Sequence, residues 1–207
     1  MESIFVAPHL ALIHIDTISA DSFSGFVRDV AADGLNLHVE SREIGGRYAA
    51  LEWLIPTAVF VYVGKSYFDG FLKEMGKDHY ALFKRGLDGL HKRMLGADAP
   101  EITVVSSAGK VKSGQPYSPY YSIIAEASER LRFKLLLART ASVEEYQASV
   151  AAFLALVESY HANALEHADS ELLDKNRVVG GTILLAYNPD SRRLESLDPL
   201  RAKKSTE

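Results

Sequence analysis

The feature that most constrains the fold is a run of helical periodicity from Tyr48 to Leu95, the longest in the chain. After Lys65 the apolar side chains recur at steps of three and four residues, and charged side chains fall largely between them. A single helix from Lys65 to Leu95 would measure about 46 Å, which is long for a domain of this size. The pattern therefore predicts an amphipathic helical region that either breaks near Gly64, Gly76 or Gly86 or projects from the domain.

A helix with a long apolar face needs a surface to cover, and the rest of the sequence supplies strands for it. Residues 10–40 are typical of a strand, a helix and a second strand, and we expect these strands to be parallel because the helix is long enough to cross over. Residues 121–137 predict an antiparallel hairpin. A capping box at Ser142 begins a further helix. Short strands are predicted at 102–105, 178–187 and 194–197.

These elements predict an α/β (α+β) fold, a single mixed-sheet domain over residues 1–200. The predicted order is β-α-β-α-β-β-β-α-β, with a further edge strand as an option. We find no internal repeat and no clear linker, which favours one domain over two small ones. Residues 201–207 are expected to form a disordered tail.

The composition of the 207-residue chain excludes several classes of function. The chain has no cysteine, which rules out a disulfide framework, a cysteine-ligated zinc site and a catalytic thiol. Its 23 basic and 27 acidic residues give a formal net charge of −4, so we expect no nucleic-acid partner. The first residues lack the basic start and apolar run of a secretory signal, which predicts a cytoplasmic location.

One apolar stretch, Trp53 to Val63, resembles a membrane segment at first sight. It contains 11 residues, whereas a helix that spans the bilayer needs about 20. We therefore expect this stretch to be a buried helix. Because the basic amphipathic pattern follows it directly, association with a membrane surface remains an alternative.

Two strands carry the best candidate for chemistry, because each presents a histidine two residues before a carboxylate. The first holds His14 and Asp16, and the second holds His38 and Glu40. Residues two apart on a strand share a face, so all four groups would converge if the strands are neighbours in matching register. Such a cluster could bind a divalent metal ion or provide an oriented general base. The other interpretation is the polar face of an amphipathic sheet.

A second group of metal-capable side chains follows the capped helix. His161 and His167 are six residues apart and therefore point to different faces of a helix, unlike the i and i+4 histidines of metalloprotease helices. The sequence also lacks nucleophile-elbow, phosphate-loop and dinucleotide-binding motifs. We therefore expect a solvated helix end at His161 and no cofactor.

Residues 114–121 concentrate three tyrosines and two prolines in a predicted loop, a composition typical of recognition surfaces. We expect a non-catalytic interaction or regulatory component that uses this loop and the helical region at about 51–95 to contact a protein partner or a second copy of the chain. The alternatives are an enzyme built on the histidine–carboxylate cluster and a membrane-surface component. The predicted contact residues are Trp53, Phe60, Phe68, Phe71, Tyr117 and Tyr120.

Overall fold

The computed structural model describes residues 7–43, 57–96, 99, 116–173 and 178–198, and within them the strands assemble into one mixed sheet. Seven strands lie in the order β2-β1-β3-β4-β5-β6-β7. Parallel pairs, β1 with β2, β3 with β4 and β5 with β6, alternate with antiparallel pairs across the sheet. The predicted α/β class with a mixed sheet is confirmed. The strands are Leu10–Ile15 (β1), Leu37–Arg42 (β2), Val59–Val63 (β3), Tyr117–Ser128 (β4), Leu131–Ala138 (β5), Thr182–Asn188 (β6) and Arg193–Leu197 (β7).

The helices of the described residues lie between these strands in the chain, and one of the two longest begins at a capping box. In the predicted capping box, the Glu145 amide donates to Ser142 Oγ at 3.2 Å, and the Ser142 amide donates to the Glu145 carboxylate at 2.8 Å. This box is therefore confirmed at the start of the fourth helix. The helices are Ser24–Val30 (α1), Leu72–Met75 (α2), Lys77–Leu95 (α3), Val143–His161 (α4) and His167–Ser170 (α5).

One face of the sheet and the helices enclose the main apolar core. Every second residue of a strand points to the same face, and register pairs such as Leu12 with Val61 and Val61 with Ile123 extend that face from strand to strand. The helices contribute aromatic and aliphatic side chains that are fully buried against it. Among the largest of these are Tyr146, Phe83, Phe153, Leu87 and Met94.

The opening strand–helix–strand unit forms as predicted, with β1 and β2 parallel. Its helix α1 crosses α3 at very close range, and Gly86 makes that approach possible. A Cβ atom on Gly86 would lie 2.6 Å from Cγ1 of Val30 and 3.3 Å from Cδ2 of Phe26. The crossing therefore requires a residue without a side chain at this position.

The predicted helix over residues 51–95 is wrong in its first part, because Val59–Val63 is the strand β3. This strand lies between β1 and β4, and it buries Val61 on the core face and Phe60 on the opposite face. A strand that is buried on both faces reads as a continuous apolar run and loses the alternation that identifies strands. The predicted breaks at Gly64 and Gly76 do occur, since the helical region begins after Gly64 and α2 ends at Gly76. Residues 51–56 and the predicted strand at 102–105 lie outside the described residues.

The predicted Tyr/Pro loop is also wrong from Tyr117 onward, because β4 begins there and Ser118 and Tyr121 are buried. Pro119 is tolerated inside this strand because the pairing with β5 is irregular between Tyr117 and Ser122, so a missing amide hydrogen costs no regular ladder bond. The Pro119 carbonyl accepts a hydrogen bond from the Ala58 amide at 2.8 Å. Residues 114 and 115 are not among those the structure describes.

None of the helices in the described ranges has both the length and the apolar character needed to cross a membrane. The predicted tail at 201–207 falls outside those ranges.

Candidate functional site

The structure does not bring the predicted histidine–carboxylate cluster together. β1 and β2 are parallel neighbours, as the hypothesis requires, but Ala11 pairs with His38 and Ile13 pairs with Glu40. His14 is an odd number of residues from both Ala11 and Ile13, so its side chain points to the other face of the sheet. The described residues contain no group of three or more histidine and carboxylate side chains that could hold a metal ion. The geometry of the predicted enzyme site, which joined His14 and Asp16 to the second pair, is therefore wrong.

His14 is a core residue. It is 2% exposed, its Nδ1 lies 2.9 Å from the carbonyl oxygen of Ile15, and its ring centroid lies 4.8 Å from that of Phe23. Because a carbonyl oxygen only accepts, Nδ1 carries the proton. His38 and Glu40 are exposed on the edge strand. The two histidines therefore belong to different environments.

The predicted contact residues do not form a free apolar surface. Phe60, Phe68 and Phe71 are each 4% exposed, and Tyr117 and Tyr120 are half-buried. Trp53 lies outside the described residues. The exposed large apolar side chains of the described ranges are scattered over β2, α2 and α4, at Val39, Met75 and Val143. Burial of the α3 apolar face in the core also leaves no apolar stripe there for a membrane surface.

A cleft of about 650 Å³ opens between the segment before α3, α3 itself and the C-terminal end of α4. Its apolar and aromatic lining comes from Phe68, Leu72, Tyr80, Ala81 and Ala162. Its charged and imidazole lining comes from Asp69, Lys73, Lys84, Glu158 and His161. The volume lies within the range of small-molecule sites, and the lining combines apolar walls with charged side chains.

Two local departures from regular helix shape this cleft. A π-helical turn, Tyr67–Phe71, precedes α2, and such turns occur frequently at functional sites. Gly76 then separates α2 from α3 at φ 73° and ψ −168°, a conformation that favours glycine. The chain changes direction at Gly76, which places Leu72 and Tyr80 in the lining of the same cleft.

His161 is a nearly buried polar group of the cleft, held by several contacts. Its side chain is 5% exposed, and its Nε2 donates a hydrogen bond to the backbone carbonyl of Glu126 at 2.9 Å. Its ring stacks on Phe68 with centroids 5.6 Å apart and an interplanar angle of 19°. Its Nδ1 lies 3.8 Å from Oδ1 of Asp69, which is longer than a hydrogen bond. The ring is therefore fixed in one orientation with Nδ1 on the side of Asp69.

Glu126 joins this histidine to the ends of two parallel strands. Its side-chain Oε2 accepts hydrogen bonds from the Tyr62 hydroxyl at 2.9 Å and from the Lys65 amide at 3.1 Å. Burial and the hydrogen bond to Glu126 raise the pKa of the Tyr62 phenol above its usual value, so the phenol stays protonated and donates. These bonds fix the start of the helical segment to β3 and β4, next to the carbonyl that holds His161.

Tyr80 provides a second polar position. Burial and then the nearby Glu158 carboxylate raise the pKa of its phenol to about 12, so it is a hydrogen-bond donor at neutral pH. The Lys84 ammonium lies over the Tyr80 ring, with Nζ 4.7 Å from the centroid. Tyr80 therefore carries a cation on its face and a carboxylate close by.

The polar groups of the cleft can hold a ligand through hydrogen bonds and charge. The only hydroxyl among the cleft-lining residues that the structure describes is the Tyr80 phenol, whose raised pKa makes it a poor nucleophile. His161 is close to fully buried and is held by a backbone carbonyl, so it contributes shape and an acceptor atom to the cleft.

The sequence prediction of a solvated helix end is wrong for His161. The residues that enclose its ring, Phe68 and Glu126, are distant in sequence, and helical periodicity carries no information about which turn of another element will cover a helix end. The signal that remains in the sequence is weak: an aromatic residue followed directly by a carboxylate, Phe68–Asp69, within the amphipathic run.

Comparison of the chain with protein-family models, with curated proteins and with solved structures gave no match.

Proposed function

We propose that this protein is a non-catalytic binding or regulatory component, and that its ligand is a small organic molecule with an apolar body that enters the cleft between α3 and the end of α4. The observation that carries this proposal is the cleft itself, with its volume of about 650 Å³ and its apolar floor beside a fixed histidine. Pockets of roughly 300–1,000 Å³ with mainly apolar walls and a few polar groups are usual for small ligands.

The proposed binding surface lies partly within the helical region, about 51–95, that the sequence predicts as a contact surface. The segment 65–84 still supplies most of it, but through a recessed cleft. A protein partner or a second copy of the chain stays a prediction. The exposed apolar residues of the described ranges do not form a patch that would support it.

A ligand in the cleft would contact three separately packed segments, α2, α3 and α4, across the Gly76 break. Binding to the folded state alone stabilises a protein by about 2.7 kcal/mol at a ligand concentration of 100 times Kd. We therefore expect a ligand to join these segments and to raise the melting temperature in a concentration-dependent way.

The test uses three probes that share a phenyl ring and differ in head group: 2-phenylethylamine, 2-phenylethanol and 3-phenylpropionate. Each is titrated into isotopically labelled protein, and the methyl and amide signals are followed by NMR. Binding of at least one probe should shift the signals of Leu72, Ala81 and Ala162, which line the cleft.

A matched pair of variants locates the effect. Ala81→Trp places an indole in the cleft and should abolish the shifts, whereas Ala155→Trp, at an exposed α4 position outside the lining, should preserve them. Absence of cleft shifts with all three probes, or shifts that survive Ala81→Trp, would contradict the proposal.

A further inference from the structure

Two hydrogen-bond acceptors face each other in the cleft. Nε2 of His161 donates to the Glu126 carbonyl, so in the neutral imidazole Nδ1 is left with a lone pair. Nδ1 faces a carboxylate oxygen, Oδ1 of Asp69, at 3.8 Å. No described residue donates a hydrogen bond to Nδ1, although only 5% of the His161 side chain is exposed to solvent. A donor placed between the two atoms would satisfy both acceptors.

From this geometry we infer that the cleft recognises a protonated amine carried on an apolar body, with the ammonium group seated between Nδ1 of His161 and the Asp69 carboxylate. The inference rests on the proposed function, since it names the head group of a ligand for the same cleft. An ammonium group has three donor hydrogens and a positive charge, so it can donate to both acceptors at once and offset the carboxylate.

The surroundings favour a cation over a neutral donor at this position. Glu158 lines the same cleft, on the last turns of α4. The C-terminal end of α4 carries the partial negative charge of its helix dipole, and His161 is its last residue. A hydroxyl group could bridge the two acceptors, but it would bring no charge to this end of the helix.

Each lysine in or beside the cleft either makes a contact of its own or is exposed to solvent. Lys84 is placed over the Tyr80 ring, and Lys65 pairs with the far side of Asp69 at 3.6 Å through Oδ2, leaving Oδ1 toward His161. Lys73 is exposed on α2. A surface ion pair such as Lys65–Asp69 is weak and does not compete strongly with a group held inside the cleft.

The experiment ranks the three phenyl probes by NMR titration at pH 8. We expect 2-phenylethylamine to bind at least about tenfold more tightly than 2-phenylethanol, since hydrogen bonds to charged groups are the stronger class. We expect 3-phenylpropionate to bind most weakly. Equal affinity for the amine and the alcohol, or preference for the carboxylate, would overturn the inference while leaving the proposed function intact. No cleft shift with any probe would overturn both.

Two variants test the named atoms. His161→Phe keeps a ring to stack on Phe68 and removes the Nδ1 acceptor, and Asp69→Asn removes the charge at a partly exposed position where folding is tolerant. Each should weaken the amine at least about tenfold and leave the alcohol within about threefold. A loss that is equal for both probes would show a merely structural role and contradict the inference.

The protonation of His161 without ligand gives a third readout. Nitrogen chemical shifts of the imidazole at pH 8 should show a protonated Nε2 and an unprotonated Nδ1, and addition of 2-phenylethylamine should move the Nδ1 signal. An imidazolium that already pairs with Asp69 at pH 8 would overturn the inference, because no acceptor would then be left for the amine.

Discussion

The closeness of the α1–α3 crossing can be tested with two glycines of the same helix. Both Gly86 and Gly89 lie inside α3, so an alanine at either position improves helix propensity by the same amount, about 0.8–1.0 kcal/mol. They differ in what the new Cβ would meet. At Gly86 it would lie 2.6 Å from Cγ1 of Val30, whereas at Gly89 the nearest atom is Oδ2 of Asp29 at 3.8 Å.

The expected changes in the free energy of unfolding follow from these distances. A Cβ contact under 3 Å forces a shift in the core, and overpacking of this kind costs about 1–3 kcal/mol. Gly86→Ala should therefore lower stability by up to about 2 kcal/mol after the helix gain is subtracted. Gly89→Ala should raise it by about 1 kcal/mol. Because the helix contribution cancels, the difference between the variants measures the packing at the crossing.

Urea denaturation at 25 °C, followed by circular dichroism and by tryptophan or tyrosine fluorescence, provides the free energies. Val30→Ala supplies the second half of a double-mutant cycle, since it removes the atom that Gly86→Ala would meet. The cost of Gly86→Ala should shrink on the Val30→Ala background. Equal stabilisation by the two glycine substitutions would refute the close crossing, and an unchanged cost on the Val30→Ala background would show that Val30 is not the contact.

Three further predictions concern the hinge, a buried histidine and the capped helix. Gly76→Ala should destabilise the protein by about 1–3 kcal/mol, because φ 73° with ψ −168° is strained for any residue with a Cβ; unchanged urea denaturation would count against this backbone conformation. Burial lowers the pKa of His91 in the folded state, so the unfolded chain takes up a proton at a higher pH than the folded protein does. The free energy of unfolding therefore falls as the pH drops through about 6.5, and this fall ends once the pH is below the folded-state pKa. His91→Phe, which keeps a ring to stack on Tyr146, should lose less stability than the parent between pH 7.5 and 5; an identical loss would contradict the assigned shift. Ser142→Ala should cost about 1 kcal/mol in thermal denaturation while Ser142→Asp should cost little, and equal effects would remove the case for side-chain capping at α4.

Much of the fold was open to prediction because its signals are local. The parallel β1–β2 pair with its helix, the β4–β5 hairpin and the capped helix α4 all follow from periodicity and capping within short windows. The sequence predicts helix at β3 because this strand is central and buried on both faces, which leaves an apolar run without alternation of apolar and polar residues. One signal of a strand remains in this run: a β-branched valine at every second position, 59, 61 and 63.

The site could not be predicted because it depends on register and on contacts between distant segments. A shift of one residue in the pairing of β1 with β2 decides whether His14 and His38 share a face, and neither strand encodes that offset locally. The position of His161 depends likewise on Glu126 and Phe68, which approach it only when α4 packs against the segment that follows β3.

The most direct test of the binding cleft is a crystal structure determined with 2-phenylethylamine at a concentration that saturates the NMR titration. Binding at the cleft predicts the phenyl ring between Leu72 and Ala81 and the amine nitrogen within about 3.2 Å of Nδ1 of His161 and Oδ1 of Asp69. A cleft that is closed by its own side chains, or a ligand bound only elsewhere on the protein, would contradict it.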